Sequence, residues 1–224
     1  MFLSKKTCLF VSLISDNPKE YFANLEKYER LGIDGIHFDV MDGNFVPRLG
    51  LHPELLKEIT SATNLPVEVH VMLDRPSRFI ETLALSGAKR LIFHLESQES
   101  IYQLLEKARE YQVELGVAIN PSTQISSLST LLPLVDAVML MAIQPGIPKH
   151  RILSETFPRL KELRTLRDFT APSVIIGVDG GITFANAKEL TQAGGDYLIC
   201  GSGTFFDSKN DLESNIHTLL ALID

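Results

Sequence analysis

The chain has no tryptophan and only two cysteines, Cys8 and Cys200. Two thiols cannot build a disulfide framework, and they offer no thiolate cluster to a metal. Basic side chains are scarce as well: 21 Lys and Arg against 28 Asp and Glu give a formal net charge of −7. That balance argues against broad nucleic-acid binding, which needs a basic surface. It weighs less against a single phosphate, because backbone amides can hold one without entering a count of Lys and Arg. No run reaches the ~18 continuous apolar residues of a membrane span. Residues Met1 to Lys6 lack the order of a signal peptide. The expectation is a cytoplasmic protein with no membrane and no nucleic acid among its partners. No Gly-x-Gly-x-x-Gly follows the first apolar run, so a dinucleotide fold is disfavoured. What is present is an ordinary globular composition, 45% hydrophobic and 22% charged, ample for a sizeable core.

Apolar runs of strand length alternate with longer helical patterns along the whole chain. Strands are predicted at Thr7–Ile14, Ile33–Met41, Pro66–Met72, Arg90–His94, Glu114–Ile119, Asp136–Met141, Ser173–Val178 and Asp196–Cys200. Helices are predicted at Pro18–Leu31, Pro53–Thr60, Pro76–Ser86, Ser100–Tyr111, Ile125–Leu131, Ser154–Arg167, Phe184–Ala193 and Leu212–Leu222. Several open with proline, and the first has Asp16 or Asn17 as its cap. Alternation with short connections implies parallel βαβ units. Eight units over 224 residues, a mean period of 28, predict an α/β chain folded as one (β/α)8 TIM barrel spanning 1–224. No linker, low-complexity segment or charge run divides it.

In such a barrel the active site lies at the C-terminal ends of the strands. Buried strands should be apolar there, so polar groups are the informative exceptions. His37 and Asp39 are two apart on the second strand and share a face. His70 lies on the third strand and Asp179 ends the seventh. Two imidazoles and two carboxylates converging at one mouth predict a divalent-metal site, with a donor set that suits zinc, iron, manganese or cobalt. Asp39 and Asp179 come from strands three steps apart around the ring. They can approach a substrate from different sides, as inversion of a carbon centre through a planar intermediate requires. Glu68 shares the face of His70 but lies deeper, as a barrel-interior carboxylate. His94 and Glu96 are read as structural before any role behind the metal ligands. Met41, Met72 and Met141 lie near the same rim and can line it with soft apolar surface. The glycine-rich runs Asp179-Gly180-Gly181 and Gly201-Ser202-Gly203, after the seventh and eighth strands, suit a phosphate held by amides and helix N-termini.

Together Ser12-Leu13-Ile14-Ser15, His37-Phe38-Asp39-Val40-Met41-Asp42-Gly43-Asn44-Phe45-Val46-Pro47, Glu68-Val69-His70-Val71-Met72, Asn120-Pro121, Pro145-Gly146, Val178-Asp179-Gly180-Gly181-Ile182 and Gly201-Ser202 resemble the ribulose-phosphate 3-epimerase family. The match runs in order over nearly the whole chain. The resemblance implies interconversion of D-ribulose 5-phosphate and D-xylulose 5-phosphate by two-base epimerisation at C3, with one divalent metal, zinc first. Carried over residue by residue, it makes His37, Asp39, His70 and Asp179 the metal ligands, and Asp39 and Asp179 the acid/base pair. Ser12, His70 and Gly146 would touch substrate, Met41, Met72 and Met141 would line the site, and Gly180, Gly181, Gly201 and Ser202 would hold the phosphate. Assembly as a homo-oligomer is a further implication, as is a place in the pentose phosphate pathway.

One segment departs from the family pattern. Its usual Pro-Gly-Phe-Gly-Gly-Gln loop after the sixth strand is replaced by Pro145-Gly146-Ile147-Pro148-Lys149-His150. Pro148 has no N–H to give. Lys149 is therefore singled out as a side-chain replacement for lost amides on the phosphate. The altered loop keeps two alternatives open: a hexulose 6-phosphate such as allulose 6-phosphate as substrate, and a non-catalytic sugar-phosphate-binding paralogue. Sugar-phosphate decarboxylases place lysine in an Asp-x-Lys-x-x-Asp strand motif, which His37-Phe38-Asp39 lacks.

Overall fold

The structure, a computed structural model, describes residues 7–147 and 151–223. Eight strands form it: β1 (Cys8–Ser12), β2 (Gly35–Met41), β3 (Val67–Met72), β4 (Arg90–His94), β5 (Glu114–Ile119), β6 (Ala137–Met141), β7 (Ile175–Asp179) and β8 (Tyr197–Cys200). Each pairs in parallel with the next, and β8 pairs with β1, so the sheet closes into a barrel in sequence order. Strands such as Ala137-Val138-Met139-Leu140-Met141 are apolar throughout because both faces are buried. Each Val, Ile or Leu so buried stabilises the fold by roughly 1.5–3 kcal/mol.

Among the described residues, seven α-helices pack outside: α1 (Tyr21–Arg30), α2 (Pro53–Ala62), α3 (Ile80–Leu85), α4 (Ile101–Arg109), α5 (Thr156–Thr170), α6 (Ala187–Ala193) and α7 (Leu212–Ile223). The helix expected at Ile125–Leu131 is instead two short 3-10 turns, Ile125–Leu128 and Leu132–Leu134. Its serines and Thr130 are weak helix formers, and Pro133 blocks continuation. The third expected helix is split, with a 3-10 turn at Pro76–Arg78 before α3. The first begins at Tyr21 rather than Pro18. Asp16 is engaged elsewhere: its carboxylate accepts from Tyr28 Oη at 2.6 Å and from Asn24 Nδ2 at 3.0 Å, tying the β1–α1 loop to the helix. Pro53 does open its helix, and His52 Nδ1 accepts from Leu55 N as the cap.

The barrel interior contains Phe10, Ile92, Ala118, Met139, Met141, Tyr197 and Ile199. Cys8 and Cys200 are buried thiols on adjoining strands, with Cys8 level with Tyr197 and Cys200 with Val11. One polar cluster crosses this interior. Glu68 accepts from Arg90 Nη1 at 2.9 Å and from Tyr197 Oη at 2.9 Å, and Arg90 also pairs with Glu114 at 2.7 Å. A buried carboxylate without such partners would cost several kcal/mol.

Candidate metal centre and active site

Register assembles the site. On β2 and β3, His37 is level with Glu68, Asp39 with His70, and Met41 with Met72. Residues level on parallel strands face the same side, so these three pairs stack inward toward the mouth. On β6 and β7, Met141 is level with Asp179. Four donors thus meet: His37 Nε2 is 3.2 Å from Asp39 Oδ1 and 3.2 Å from His70 Nδ1. His70 Nδ1 lies 3.3 Å from Asp39 Oδ1 and 3.7 Å from Asp179 Oδ2, and His37 Nε2 lies 4.0 Å from Asp179 Oδ2. All four ligand atoms fall within 4.8 Å of one another. Donors 2.0–2.1 Å from a shared tetrahedral ion would be about 3.3 Å apart. The cluster could hold a divalent metal.

The hydrogen bonds behind the imidazoles aim their lone pairs at that point. A carboxylate only accepts, so Glu68 Oε1 receives the Nδ1–H of His37 at 2.9 Å and leaves Nε2 facing the cluster. Glu96 Oε2 receives the Nδ1–H of His94 at 3.0 Å. Burial pushes the His94 pKa down to about 4, despite the nearby Glu96 carboxylate, so the ring is neutral and its Nε2 accepts. The donor to it, 2.8 Å away, is His70 Nε2–H, which leaves the His70 Nδ1 lone pair toward the other three ligands. Glu96 is itself held by Asn120 N at 2.8 Å and by the Thr123 hydroxyl.

The field at the cluster favours a cation. Burial opposes charge on His37, but the Asp39 charge, hydrogen bonds to Asp39 and Glu68, and the Asp179 charge together hold its pKa well above the ordinary value. Asp39 is pulled below the usual carboxylate range, the charge and hydrogen bonds of His37 and His70 overriding burial. Asp179 moves the other way: burial and the Asp39 charge outweigh the attraction of the histidines. Ser12 Oγ lies 3.5 Å from Asp39 Oδ2 and 3.3 Å from Ser15 Oγ.

A cavity of about 660 Å3 opens above the cluster. Ser12, Asp39, Met41, Met72, Met141, Gly146, Asp179, Gly180, Gly181, Gly201 and Ser202 all line it. His37 and His70 do not; both are fully buried beneath its floor. His70, which the resemblance places against substrate, is level with Asp39 on the neighbouring strand and is not among the lining residues. Gly180 and Gly181 have φ of +100° and +67°, conformations an L side chain rarely adopts. Asn186 secures their loop, accepting from Thr183 N at 2.8 Å and donating to Gly181 O at 3.0 Å. No helix starts directly at either glycine run: α6 begins at Ala187, and turns follow β8. The turn leading into α6 lines the cavity with Thr183, Ala185 and Asn186, and Ala187 N bonds to Thr183 O at 3.0 Å in the helical pattern. Lys149 lies outside the described residues.

The cavity also reveals residues that the strand pattern did not single out. Arg48, in the β2–α2 loop, and Arg151, after β6, both line it. Loops carry no period, so nothing in the spacing marked them. The Asp42 carboxylate organises the first of these loops, accepting from Asn44 N at 2.8 Å, Phe45 N at 2.9 Å and Asp74 N at 2.7 Å.

Comparison with known proteins agrees with this geometry. Among solved structures, a 3-hexulose-6-phosphate synthase superposes with a TM-score of 0.73 at 13% identity, covering 97% of this chain and 100% of that one. A tryptophan synthase α-subunit from Pyrococcus furiosus gives 0.72 at 12% identity, covering 99% and 100%. At such identities these likenesses concern the barrel fold alone. Among curated proteins, the ribulose-phosphate 3-epimerase of Aquifex aeolicus is 34% identical over 194 residues, 87% of this chain and 86% of that protein. Those of Chlamydia pneumoniae (37% identical; 85% and 84% covered) and Treponema pallidum (33%; 94% and 96%) are similar. The model of the ribulose-phosphate 3 epimerase family matches residues 8–205, and the chain belongs to that family.

Proposed function

We propose that this protein is a metal-dependent isomerase, a ribulose-phosphate 3-epimerase that interconverts D-ribulose 5-phosphate and D-xylulose 5-phosphate. The observation that carries the reading is the pair Asp39 and Asp179, both lining one cavity from strands on different sides of the ring and both within a four-donor cluster. One carboxylate takes the C3 proton, and the electrons of the broken C–H bond move onto the C2 carbonyl to give an enediolate. The other carboxylic acid returns a proton to C3 from the opposite face, which inverts the centre. Reversal exchanges the two roles.

His37, Asp39, His70 and Asp179 would hold the metal, with zinc favoured by the compact donor set and iron, manganese or cobalt as alternatives. When bound, a divalent cation supplies positive charge that stabilises developing negative charge on oxygen. Ser12 steadies the Asp39 carboxylate and touches substrate. Met41, Met72 and Met141 form an apolar lining that excludes water from the proton-transfer steps. Gly146, Gly180, Gly181, Gly201 and Ser202 present backbone groups to the phosphate. The reading takes the whole chain as one catalytic barrel. By family resemblance and sequence features, it also takes the protein as a cytoplasmic homo-oligomer of the pentose phosphate pathway.

A second reading, 3-epimerisation of a hexulose 6-phosphate such as allulose 6-phosphate, is favoured by the altered Pro145-Gly146-Ile147-Pro148 loop. A non-catalytic sugar-phosphate binder is disfavoured, since binding alone needs neither carboxylate of the pair. Product analysis with the two phosphates in parallel separates the readings. Faster formation of xylulose 5-phosphate is the expected result, faster turnover of allulose 6-phosphate selects the second reading, and turnover of neither by metal-loaded protein rejects both.

A further inference from the structure

Two arginines line the same cavity. Arg48 and Arg151 are the cationic side chains among its described lining residues, and neither side chain has an ion pair or hydrogen bond among the described residues. Other arginines are engaged: Arg30 with Glu213, Arg90 with Glu68 and Glu114, Arg167 with Asp196. The carboxylates that line the cavity, Asp39 and Asp179, are occupied with His37 and His70 at its floor. The rim therefore holds two unneutralised guanidinium groups in a chain of net charge −7.

Their loops start from β2 and β6, on opposite sides of the ring, yet they meet. A Cβ built on Gly146, at φ +75°, would lie 2.5 Å from Val46 Cβ. Arg48 follows Val46 by two residues, and its backbone N–H bonds to Val46 O at 2.8 Å. The same loop is fixed by the Asp42 carboxylate and by Gly50 N bonding to Met41 O at 3.1 Å. Arg48 is thus a half-buried cation on a built loop rather than a free surface side chain. Glycine-rich loops after β7 and β8 line the same space.

We propose that Arg48 and Arg151 form a paired-arginine site for a phosphate monoester dianion at the cavity rim. The inference rests on the sugar-phosphate reading above and deepens it. Two cationic side chains lining one cavity draw an anion into it, and the planar fork of arginine suits phosphate oxygens in bidentate fashion. The pair supplies by side chains what the loop after β6 loses where Pro148, which has no N–H, stands in place of a glycine.

The test uses Arg48→Gln and Arg151→Gln in the full chain, each checked for wild-type thermal stability. Calorimetric binding of inorganic phosphate and the KM and kcat for ribulose 5-phosphate are measured for each. Each substitution is expected to weaken phosphate binding and raise KM by about 10- to 100-fold, as loss of a charge-assisted hydrogen bond implies, with kcat changed far less. Arg151→Lys should recover only part of the loss. Unchanged phosphate binding and KM in either glutamine variant overturns the paired site. If the wild type fails to turn over ribulose 5-phosphate, the functional reading fails separately. Phosphate binding that both variants lose would still support the site.

Discussion

Acid weakening of the fold should pass through one histidine. The folded-state pKa of His94 is pushed down to about 4 by burial. In the unfolded chain it is ~6.5. Between those values the unfolded chain binds a proton that the folded protein refuses, so the stability contributed by neutral His94 is complete above about pH 6.5 and is lost as pH falls toward about 4. Each pKa unit is worth ~1.4 kcal/mol, and integration from pH 7 to pH 5 gives a loss of about 2 kcal/mol. Other groups are common to the wild type and the variant, so the difference between the two isolates His94. The raised pKa of His37 gives stability that is fully present below its unfolded value of ~6.5 and is lost as pH rises above it, opposite in sign to His94. The lowered pKa values of Asp39, Glu68 and Glu96 give stability that begins to fail only near the unfolded carboxylate range of ~4. Urea unfolding of chelator-treated wild type and His94→Gln at pH 7, 6 and 5 measures the effect. The wild type should lose about 2 kcal/mol more than the variant over that range. Parallel losses would refute the reasoning: His94 would then titrate normally, and it could not serve as the neutral acceptor that orients His70.

Three other perturbations test the site. Asp39→Asn and Asp179→Asn, made separately, should each lower kcat for epimerisation by about 100- to 10,000-fold, the usual contribution of a general acid or base; near-normal turnover of either would remove that residue from the pair. Glu68→Gln weakens the hold on His37 Nδ1–H and should reduce metal affinity by about 10- to 100-fold in a chelator competition, with unchanged affinity as the contrary result. Gly180→Ala places a side chain at φ +100° against Ile143 and should raise KM for the phosphate substrate more than it lowers kcat, whereas a wild-type KM would show that this loop does not hold the anion.

The strand positions were legible because burial on both faces leaves long apolar runs, and the polar exceptions at their ends stand out. His37 and Asp39 could be placed on one face from their spacing. That Asp39 would lie level with His70 depended on a register between strands 31 residues apart, which periodicity alone does not carry. His94 and Glu96 were visible as strand-end polar residues, but the bond from His70 Nε2 to His94 Nε2 arises only once β3 and β4 are adjacent. The Ile125–Leu131 segment misled because its apolar spacing is helical while its serines and Pro133 favour short turns. Arg48 and Arg151 lie in loops, where position follows from tertiary contacts such as that of Gly146 with Val46.

The central claim is that Asp39 and Asp179 move a proton at one carbon of a ketose phosphate. Its most direct measurement is exchange of the substrate C3 hydrogen with deuterated solvent, followed by NMR on metal-loaded protein with ribulose 5-phosphate. The account predicts deuterium at C3 of both epimers, with incorporation sharply reduced in Asp39→Asn and in Asp179→Asn. Absence of C3 exchange in the metal-loaded wild type would contradict it.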